Sequence, residues 1–228
     1  MAVQLDSVVP FGRSFDEYVK MFDLTPAELQ GKLLSVADGP ASFNAKGTRL
    51  GHRITSVDPL YCLSAHQIKQ RFDAVVDDII HQVESTPDDW EWSYHHSPSN
   101  LRKNREHAIH QFCQDFPDGK SAGRYQQGEL PRLDYADNTY DLGLCSHFLF
   151  LYSDQVDQIF HLDSICEMLR ICQEVRIFPL LTLGLKTSPY LAPVMATLES
   201  MGYRCKIQPV AYEFQRNGNK MLKITPSR

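Results

Sequence analysis

Short apolar runs alternate along the chain with longer segments in which apolar residues recur every three or four positions. The runs at 32–37, 53–57 and 142–149 are typical of buried parallel strands. The segments at 64–84 and 156–172 have the spacing of amphipathic helices. Strands that alternate with helices predict an α/β fold with a mainly parallel sheet and helices on both faces.

The two ends of the chain complete this pattern. Two short helices are predicted within residues 1–31, the second because Thr25-Pro26-Ala27-Glu28 combines a cap residue, a proline and a glutamate three residues after the cap. At the other end, predicted strands at 203–214 and 220–225 flank Asn217-Gly218, a dipeptide that favours a tight hairpin. We therefore expect one domain over residues 1–228, closed by a C-terminal antiparallel hairpin.

Composition and charge narrow the class of protein. A chain of 228 residues is long enough for one domain with a substantial core. Its net charge of −5 favours neither nucleic acid nor anionic membranes as partners. The six cysteines form no C-x-x-C pair, and no apolar stretch is long enough to span a bilayer. With no signal-peptide pattern at the start, we expect a cytoplasmic protein with reduced thiols and no bound metal.

The candidate chemistry begins at a turn between the first two predicted strands. Residues 33–44 read LLSVADGPASFN, and Gly39 permits the backbone to approach a ligand closely. Asp58 ends the next strand 19 residues later, near the roughly 20 residues typical of nucleoside-binding βαβ units, where an acid accepts hydrogen bonds from ribose. With one glycine in the loop, an ordinary turn followed by a surface aspartate fits these residues as well.

This segment resembles the class I S-adenosylmethionine (SAM)-dependent methyltransferases. Their D/E-x-G-x-G-x-G loop falls, in order, on Ser35, Ala37, Gly39 and Ala41. Serine thus replaces the family's acid and alanine replaces two glycines, while Asp38 is a candidate to supply the missing polar function in part. Asp58-Pro59 matches the ribose-binding end of the family's second strand.

A second stretch, residues 128–154, is similar to the segment that leads into strand four of the same family. Leu130-Pro131 and Tyr140-Asp141 stand at matching places. Glu129 falls in a segment that, in members of this family, often lies beside the adenine of the cofactor. Residues 145–147 fall at the end of strand four, which lines the methyl-transfer site in the family. The sequence motifs DGPASFN and CSHFLFLYS also resemble those of a bacterial group within the family.

The resemblance implies a seven-stranded Rossmann-like sheet and SAM as the cofactor. The implied cofactor site consists of Ala37, Asp38, Gly39, Pro40, Phe43, Asp58, Pro59, Glu129, Leu130, Cys145 and Ser146. His147 is the candidate general base, because imidazole titrates near neutrality and this residue lies at the mouth of the implied pocket. A structural polar residue at a strand end is the alternative interpretation of His147.

Two segments outside the matched regions are candidate covers for the pocket. The N-terminal segment can fold over the cleft with Tyr18, where Arg13 would meet a carboxylate of SAM or of the methyl acceptor. Residues 62–122 form a helical insertion that is longer than a simple crossover requires, and it contains Trp90 and Trp92. We expect this insertion to cover the acceptor pocket, with plain packing as the alternative.

These expectations combine into a SAM-dependent methyltransferase that acts on a small molecule by in-line transfer from the sulfonium. The acidic net charge disfavours a nucleic-acid acceptor, because phosphate contacts dominate such affinity. One alternative is a non-catalytic SAM- or nucleoside-binding module. The absence of two of the family's glycines and of its loop acid favours this alternative. Another is a nicotinamide-dependent oxidoreductase, although the sequence lacks a full G-x-G-x-x-G.

Overall fold

The computed structural model describes residues 8–227, whose apolar runs form strands and whose amphipathic segments form helices. The strands are β1 (Lys32–Val36), β2 (Arg53–Val57), β3 (Tyr125–Gln126), β4 (Tyr140–Ser146), β5 (Cys172–Phe178), β6 (Tyr203–Pro209) and β7 (Lys220–Pro226). The helices are α1 (Phe15–Met21), α2 (Phe43–Arg49), α3 (Ala65–Ser85), α4 (Pro98–Ser121), α5 (Gln158–Ile171) and α6 (Leu191–Ser200).

The strands form one seven-stranded sheet in the order β3-β2-β1-β4-β5-β7-β6. The pairs among the first five strands are parallel, and β7 is antiparallel to both β5 and β6. Val36 lies level with Val57 and with Cys145, so β1, β2 and β4 end at the same edge of the sheet. The strand order reverses between β1 and β4, and open α/β sheets bind ligands at such a reversal.

Helices cover both faces of the sheet, as the alternating pattern predicts. Leu33 packs in a core with residues of α1 to α4, whereas its neighbour Leu34 packs in a second core with residues of α5 and α6. Successive side chains of a strand point to opposite faces, which explains why β1 is apolar without interruption. The prediction of a mainly parallel sheet between two helical layers is confirmed.

The second predicted N-terminal helix is present only as a single 3-10 turn. Thr25 and Glu28 do form the reciprocal cap, since the amide of Thr25 donates to Glu28 Oε2 at 2.8 Å and the amide of Glu28 donates to Thr25 Oγ1 at 3.2 Å. Only a three-residue 3-10 turn, Glu28–Gln30, follows the cap. The helix stops there because β1 begins at Lys32 and leaves no residues for a second turn.

The prediction of a tight connection in the C-terminal hairpin is also corrected by the structure. The strands β6 and β7 pair antiparallel as predicted, but β6 ends at Pro209, and the chain leaves the sheet until Lys220. In this loop Phe214 stacks on Trp90 with ring centroids 4.7 Å apart. Asn217 has a positive φ of 66°, in a turn closed by a 2.7 Å bond from the Gly218 amide to the Gln215 carbonyl. Burial of aromatic side chains therefore outweighs the local preference for a two-residue hairpin.

Candidate functional site

A cleft of about 400 Å³ lies at the carboxyl ends of β1, β2 and β4. Its volume falls within the range of about 300–1,000 Å³ typical of small-molecule pockets. The loops after these strands, together with the N-terminal segment, bring into its lining Arg13, Tyr18, Ala37, Asp38, Gly39, Pro40, Asp58, Pro59, Glu129, Leu130, Ser146 and His147. Most of the residues predicted for the site from the sequence therefore meet in one cleft.

The loop after β1 keeps a tight shape with a single glycine. Gly39 has a φ of 52°, its amide donates to Asp58 Oδ2 at 2.8 Å, and its carbonyl accepts from the Tyr61 hydroxyl at 2.7 Å. Ala37 also has a positive φ, 53°, at a position where the resemblance implies glycine. A left-handed conformation costs an alanine about 1–2 kcal/mol. Bonds from the surrounding residues hold the loop in this conformation.

Asp58 joins the ends of β1 and β2. Its Oδ2 accepts from the Gly39 amide and its Oδ1 accepts from the Leu60 amide, each at 2.8 Å. Burial raises the pKa of Asp58 to about 6, although the two amide bonds act in the opposite direction. Each carboxylate oxygen can accept a second hydrogen bond. Asp58 can thus receive two hydroxyl donors from a ligand in the cleft while it fixes the loop.

Asp38 is buried beneath the same loop. Its carboxylate accepts hydrogen bonds from the hydroxyls of Tyr18, Ser35 at 2.5 Å and Ser56 at 2.6 Å. Burial raises the pKa of Asp38, and the three hydroxyl bonds oppose this rise. Ser35 occupies the position at which the resemblance implies an acid. Asp38, three residues after Ser35, therefore supplies a carboxylate that lies in hydrogen-bond contact with the Ser35 side chain.

Two residues of the predicted site lie in the core instead of the cleft. Phe43 is fully buried between Tyr18, at a ring distance of 4.3 Å, and Phe15, at 5.5 Å. Cys145 is fully buried in the core that contains α5 and α6. Successive side chains of a strand point to opposite faces, and Ser146 lines the cleft whereas Cys145 does not. A motif match gives the position of a residue along the chain but not the direction of its side chain.

Strand β4 ends at Ser146, three residues before the predicted strand end at 149, and His147 begins the turn that follows. It has a φ of 54°, and its amide donates to the Phe178 carbonyl at 2.6 Å. Its Nδ1 lies 2.9 Å from Ser146 Oγ. Burial, followed by the charges of Arg13 and Arg105, lowers the pKa of His147 well below its usual value. The imidazole is therefore neutral at neutral pH and a weak proton acceptor.

The N-terminal segment covers one side of the cleft. Gly12 lies directly against the backbone of Pro40 and Ala41, where a side chain would find no room. The Arg13 carbonyl accepts from the Ser42 amide at 2.9 Å. The guanidinium of Arg13 donates to the Phe11 carbonyl through Nη1, whereas its buried Nε has no hydrogen-bond partner within residues 8–227. Burial, with a smaller effect of Arg105, lowers the pKa of Arg13 to about 10.

A buried charged cluster beside the cleft was not predicted from the sequence. Arg105 of α4 forms two hydrogen bonds with Glu17 of α1, at 2.7 and 2.8 Å, and both side chains are buried. The Tyr212 hydroxyl donates to Glu17 Oε1 at 2.9 Å and lies 3.0 Å from His95 Nε2. Glu17 resembles an ordinary capping residue in the sequence, and only long-range contacts reveal its partners.

Neither predicted tryptophan lines the cleft. Trp90 lines a second cavity of about 80 Å³, which shares Val9, Phe11, Arg13 and His147 with the cleft. Trp92 is half-buried and contacts Phe214 edge-on at a ring distance of 5.7 Å. Between residues 8 and 227, the structure contains no group of three His, Cys, Asp or Glu side chains that could hold a metal ion. No helix in the same range could cross a membrane.

The sheet order, with the antiparallel β7 between β5 and β6, is that of the Rossmann-like methyltransferase fold. Among solved structures, the chain is similar to magnesium protoporphyrin IX methyltransferase from Synechocystis PCC 6803 with bound S-adenosylhomocysteine (SAH), at a TM-score of 0.50 and 12% identity, over 93% of this chain and 82% of that one. It is also similar to the PH0226 protein from Pyrococcus horikoshii OT3, at a TM-score of 0.50 and 10% identity, over 92% and 89% of the two chains.

The sequence has a nearer relative. The chain is 32% identical over 223 residues to the uncharacterised protein MJ0045 of Methanocaldococcus jannaschii, and the match covers 97% of this chain and 98% of that protein. The chain belongs to the family of that protein. No protein-family model matches the chain.

Proposed function

We propose that this protein is a SAM-dependent methyltransferase with a small-molecule acceptor. The observation that carries the proposal is Asp58, a buried carboxylate at the end of β2 that accepts a hydrogen bond from the Gly39 amide, lines the cleft and retains capacity for two more donors. A ribose supplies two neighbouring hydroxyls for such an acceptor. Solved structures of the same fold include a methyltransferase that holds SAH.

The remaining groups in the cleft fit the other parts of SAM. The carboxylate of Asp38 is suited to the cationic amino group of the methionine moiety, whereas the Arg13 guanidinium is left for a carboxylate of the methyl acceptor. Glu129 and Leu130, which also line the cleft, offer a polar and an apolar contact for adenine. A cleft of about 400 Å³ accommodates a ligand of this size.

The bound sulfonium would supply an activated methyl group, so the protein has mainly to position the acceptor in line with it. His147 lies where the cleft meets the second cavity, and its neutral imidazole can accept a proton from the acceptor. Its lowered pKa makes it a weak base, which suits an acceptor that becomes acidic once methylated. The free state of all six cysteines favours a cytoplasmic enzyme.

A non-catalytic SAM-binding module is the second candidate. The strained Ala37 and the displaced loop acid favour it, because both depart from the family's loop. Such a module would bind SAM and SAH but transfer no methyl group. Incubation with SAM carrying a tritium-labelled methyl group and a small-molecule cell extract distinguishes the two. Label in a new acid-soluble product supports the enzyme, and its absence despite SAM binding supports the module.

Calorimetric titration with SAM, SAH and NADH tests the proposed ligand. We expect SAM and SAH to bind with micromolar dissociation constants, about −8 kcal/mol, and NADH not to bind. Binding of NADH without SAH would favour a nicotinamide-dependent oxidoreductase. Failure of SAM and SAH alike to bind would refute the methyltransferase proposal.

A further inference from the structure

The second cavity is lined mainly by apolar residues and shares Val9, Phe11, Arg13 and His147 with the cleft. Its volume of about 80 Å³ lies between α3, α4, the turn after β4 and the loop that precedes β7. Apart from Val9 and Phe11, its apolar lining includes Ile79, Val83, Trp90, Leu101, Leu151, Leu183 and Phe214. The cavity and the cleft meet at Arg13 and His147, the point at which the proposed function requires an acceptor.

Two polar atoms in the cavity lining lack hydrogen-bond partners among the residues that the structure describes. Gln215 is more than nine-tenths buried; its Nε2 donates to the Thr182 carbonyl at 3.0 Å, but its Oε1 has no partner. The buried Nε of Arg13 has none either. A buried donor or acceptor without a partner destabilises the protein, because it has lost its hydrogen bonds to water. A ligand that offers one hydrogen-bond acceptor and one donor would remove both penalties.

On the basis of the proposed function, we propose that this cavity binds the methyl acceptor, and that the acceptor is a small anion with a branched aliphatic group. The aliphatic group fills the apolar cavity. A carboxylate of the acceptor pairs with Arg13 at the junction with the cleft, and a hydroxyl or amide N–H of the acceptor donates to Gln215 Oε1. This arrangement leaves the cofactor in the larger cleft and places the acceptor's carboxylate at the junction of the two.

The cavity volume sets the size of the aliphatic group. An engineered cavity of about 150 Å³ binds benzene, which has six carbon atoms. A cavity of about 80 Å³ therefore holds about three or four carbon atoms, the size of an isopropyl or isobutyl group. An aromatic ring would fit only in part and would have to extend into the cleft.

The charges around the junction of cleft and cavity favour an acceptor with a negative charge. Arg13 and Arg105 both lie close enough to His147 to lower its pKa, and the buried carboxylate of Glu17 is already neutralised by Arg105. In the described part of the chain, the Arg13 side chain makes one hydrogen bond, to the Phe11 carbonyl. An anion compensates this buried charge, whereas a cationic ligand of the same shape would face Arg13 without a counterion.

Four small probes with SAH-loaded protein test the proposal, because SAH occupies the cofactor cleft throughout. The probes are 3-methylbutanoate, its 3-hydroxy derivative, 3-methylbutylamine and acetate, and binding is followed by protein NMR shifts. We expect millimolar binding of the two branched acids, with the hydroxy acid tighter by at least threefold, and at least tenfold weaker binding of the amine and of acetate. Equal binding of all four probes, or preference for the amine, would overturn the proposal.

Two variants locate the probes. Val83→Phe fills the cavity, so we expect loss of branched-acid binding with unchanged SAH affinity, and the retained SAH binding shows that the variant folds. Gln215→Leu removes Oε1, so we expect the advantage of the hydroxy acid to disappear. Ile159→Phe, at an exposed position of α5, is the control and should change nothing. Branched-acid binding that survives Val83→Phe would contradict the assignment.

The same data separate the two proposals. If SAH does not bind but the branched acids bind in a manner that Val83→Phe abolishes, the proposed function fails and the cavity remains a binding site for small acids. If SAH binds but no branched acid does, the methyltransferase proposal stands and the assignment of the acceptor fails.

Discussion

Asp58 shows how a single residue can serve both the fold and a ligand. Its two oxygens each accept one backbone amide, which fixes the loop after β1 against the end of β2. Burial and the nearby carboxylates of Asp38 and Glu129 raise its pKa to about 6 against the effect of those amides. Because only the carboxylate form accepts hydroxyl donors at both oxygens, the protonation state of Asp58 should control ligand affinity.

We therefore predict that SAH binding weakens as the pH falls through 6. The charged fraction of a group with a pKa of about 6 drops about tenfold between pH 7.5 and pH 5, and the affinity should fall by up to about the same factor. Calorimetric titrations at the two pH values measure this change. In Asp58→Asn most of the dependence should disappear, with a residual part from Asp38. A pH-independent affinity in the wild type would contradict the role of Asp58.

At the scale of elements, helix α1 carries the N-terminal segment and is anchored by a buried ion pair. Glu17 on α1 meets Arg105 on α4 through two short hydrogen bonds, and neither side chain is accessible to solvent. Removal of one partner from such a pair leaves a buried charge without compensation. The pair therefore fixes the position of α1, and with it the wall of the cleft that contains Arg13 and Tyr18.

Glu17→Gln should lower the free energy of unfolding by about 3–5 kcal/mol, because Arg105 then lacks a countercharge. Urea unfolding followed by circular dichroism measures the loss. Asp16→Asn is the matched control on the same helix, since Asp16 forms an exposed ion pair with Lys46 and should contribute at most about 1 kcal/mol. Replacement of Glu17 and Arg105 together by methionine should restore most of the stability. Similar losses for Glu17→Gln and Asp16→Asn would refute the anchoring role.

The contact between the N-terminal segment and the loop after β1 depends on Gly12. A Cβ atom at this position would overlap the Pro40 carbonyl and lie 2.6 Å from the nitrogen of Ala41. Gly12→Ala should therefore displace the segment and weaken SAH binding at least fivefold, about 1 kcal/mol. Gly184→Ala is the control, because its nearest neighbour, Thr182 Oγ1, would lie at an ordinary 3.5 Å. Equal SAH affinities for the two variants in calorimetry would show that the segment does not shape the cleft.

At the scale of the whole molecule, the fold follows from hydrophobic patterning and from the resemblance together. The patterning of β1, β2 and β4 predicts a parallel sheet, and the resemblance adds the seven strands with the closing antiparallel pair. Local signals were least reliable where long-range packing competes with them. The capped turn at Glu28–Gln30 is cut short by β1, and the Asn217-Gly218 turn is displaced by the stacking of Phe214 on Trp90.

The candidate site was predictable in its position along the chain but not in its side-chain contacts. The ends of β1, β2 and β4 bring Gly39, Asp58 and Ser146 to one cleft, as parallel topology requires. Spacing could not show that Asp38 reaches back to Ser35. It also could not reveal the second cavity, because the parts of its wall lie far apart in the sequence and meet only through tertiary packing.

The SAH affinity of Asp58→Asn, measured by calorimetry beside that of the wild type, tests the central claim most directly. The substituted amide retains one oxygen but presents N–H donors where ligand hydroxyls and the loop amide need an acceptor. We predict at least tenfold weaker binding, about 1.4 kcal/mol, and an unchanged affinity for Asp163→Asn at an exposed position of α5. Wild-type affinity in a folded Asp58→Asn protein would contradict the proposal that the cleft binds the ribose of SAM.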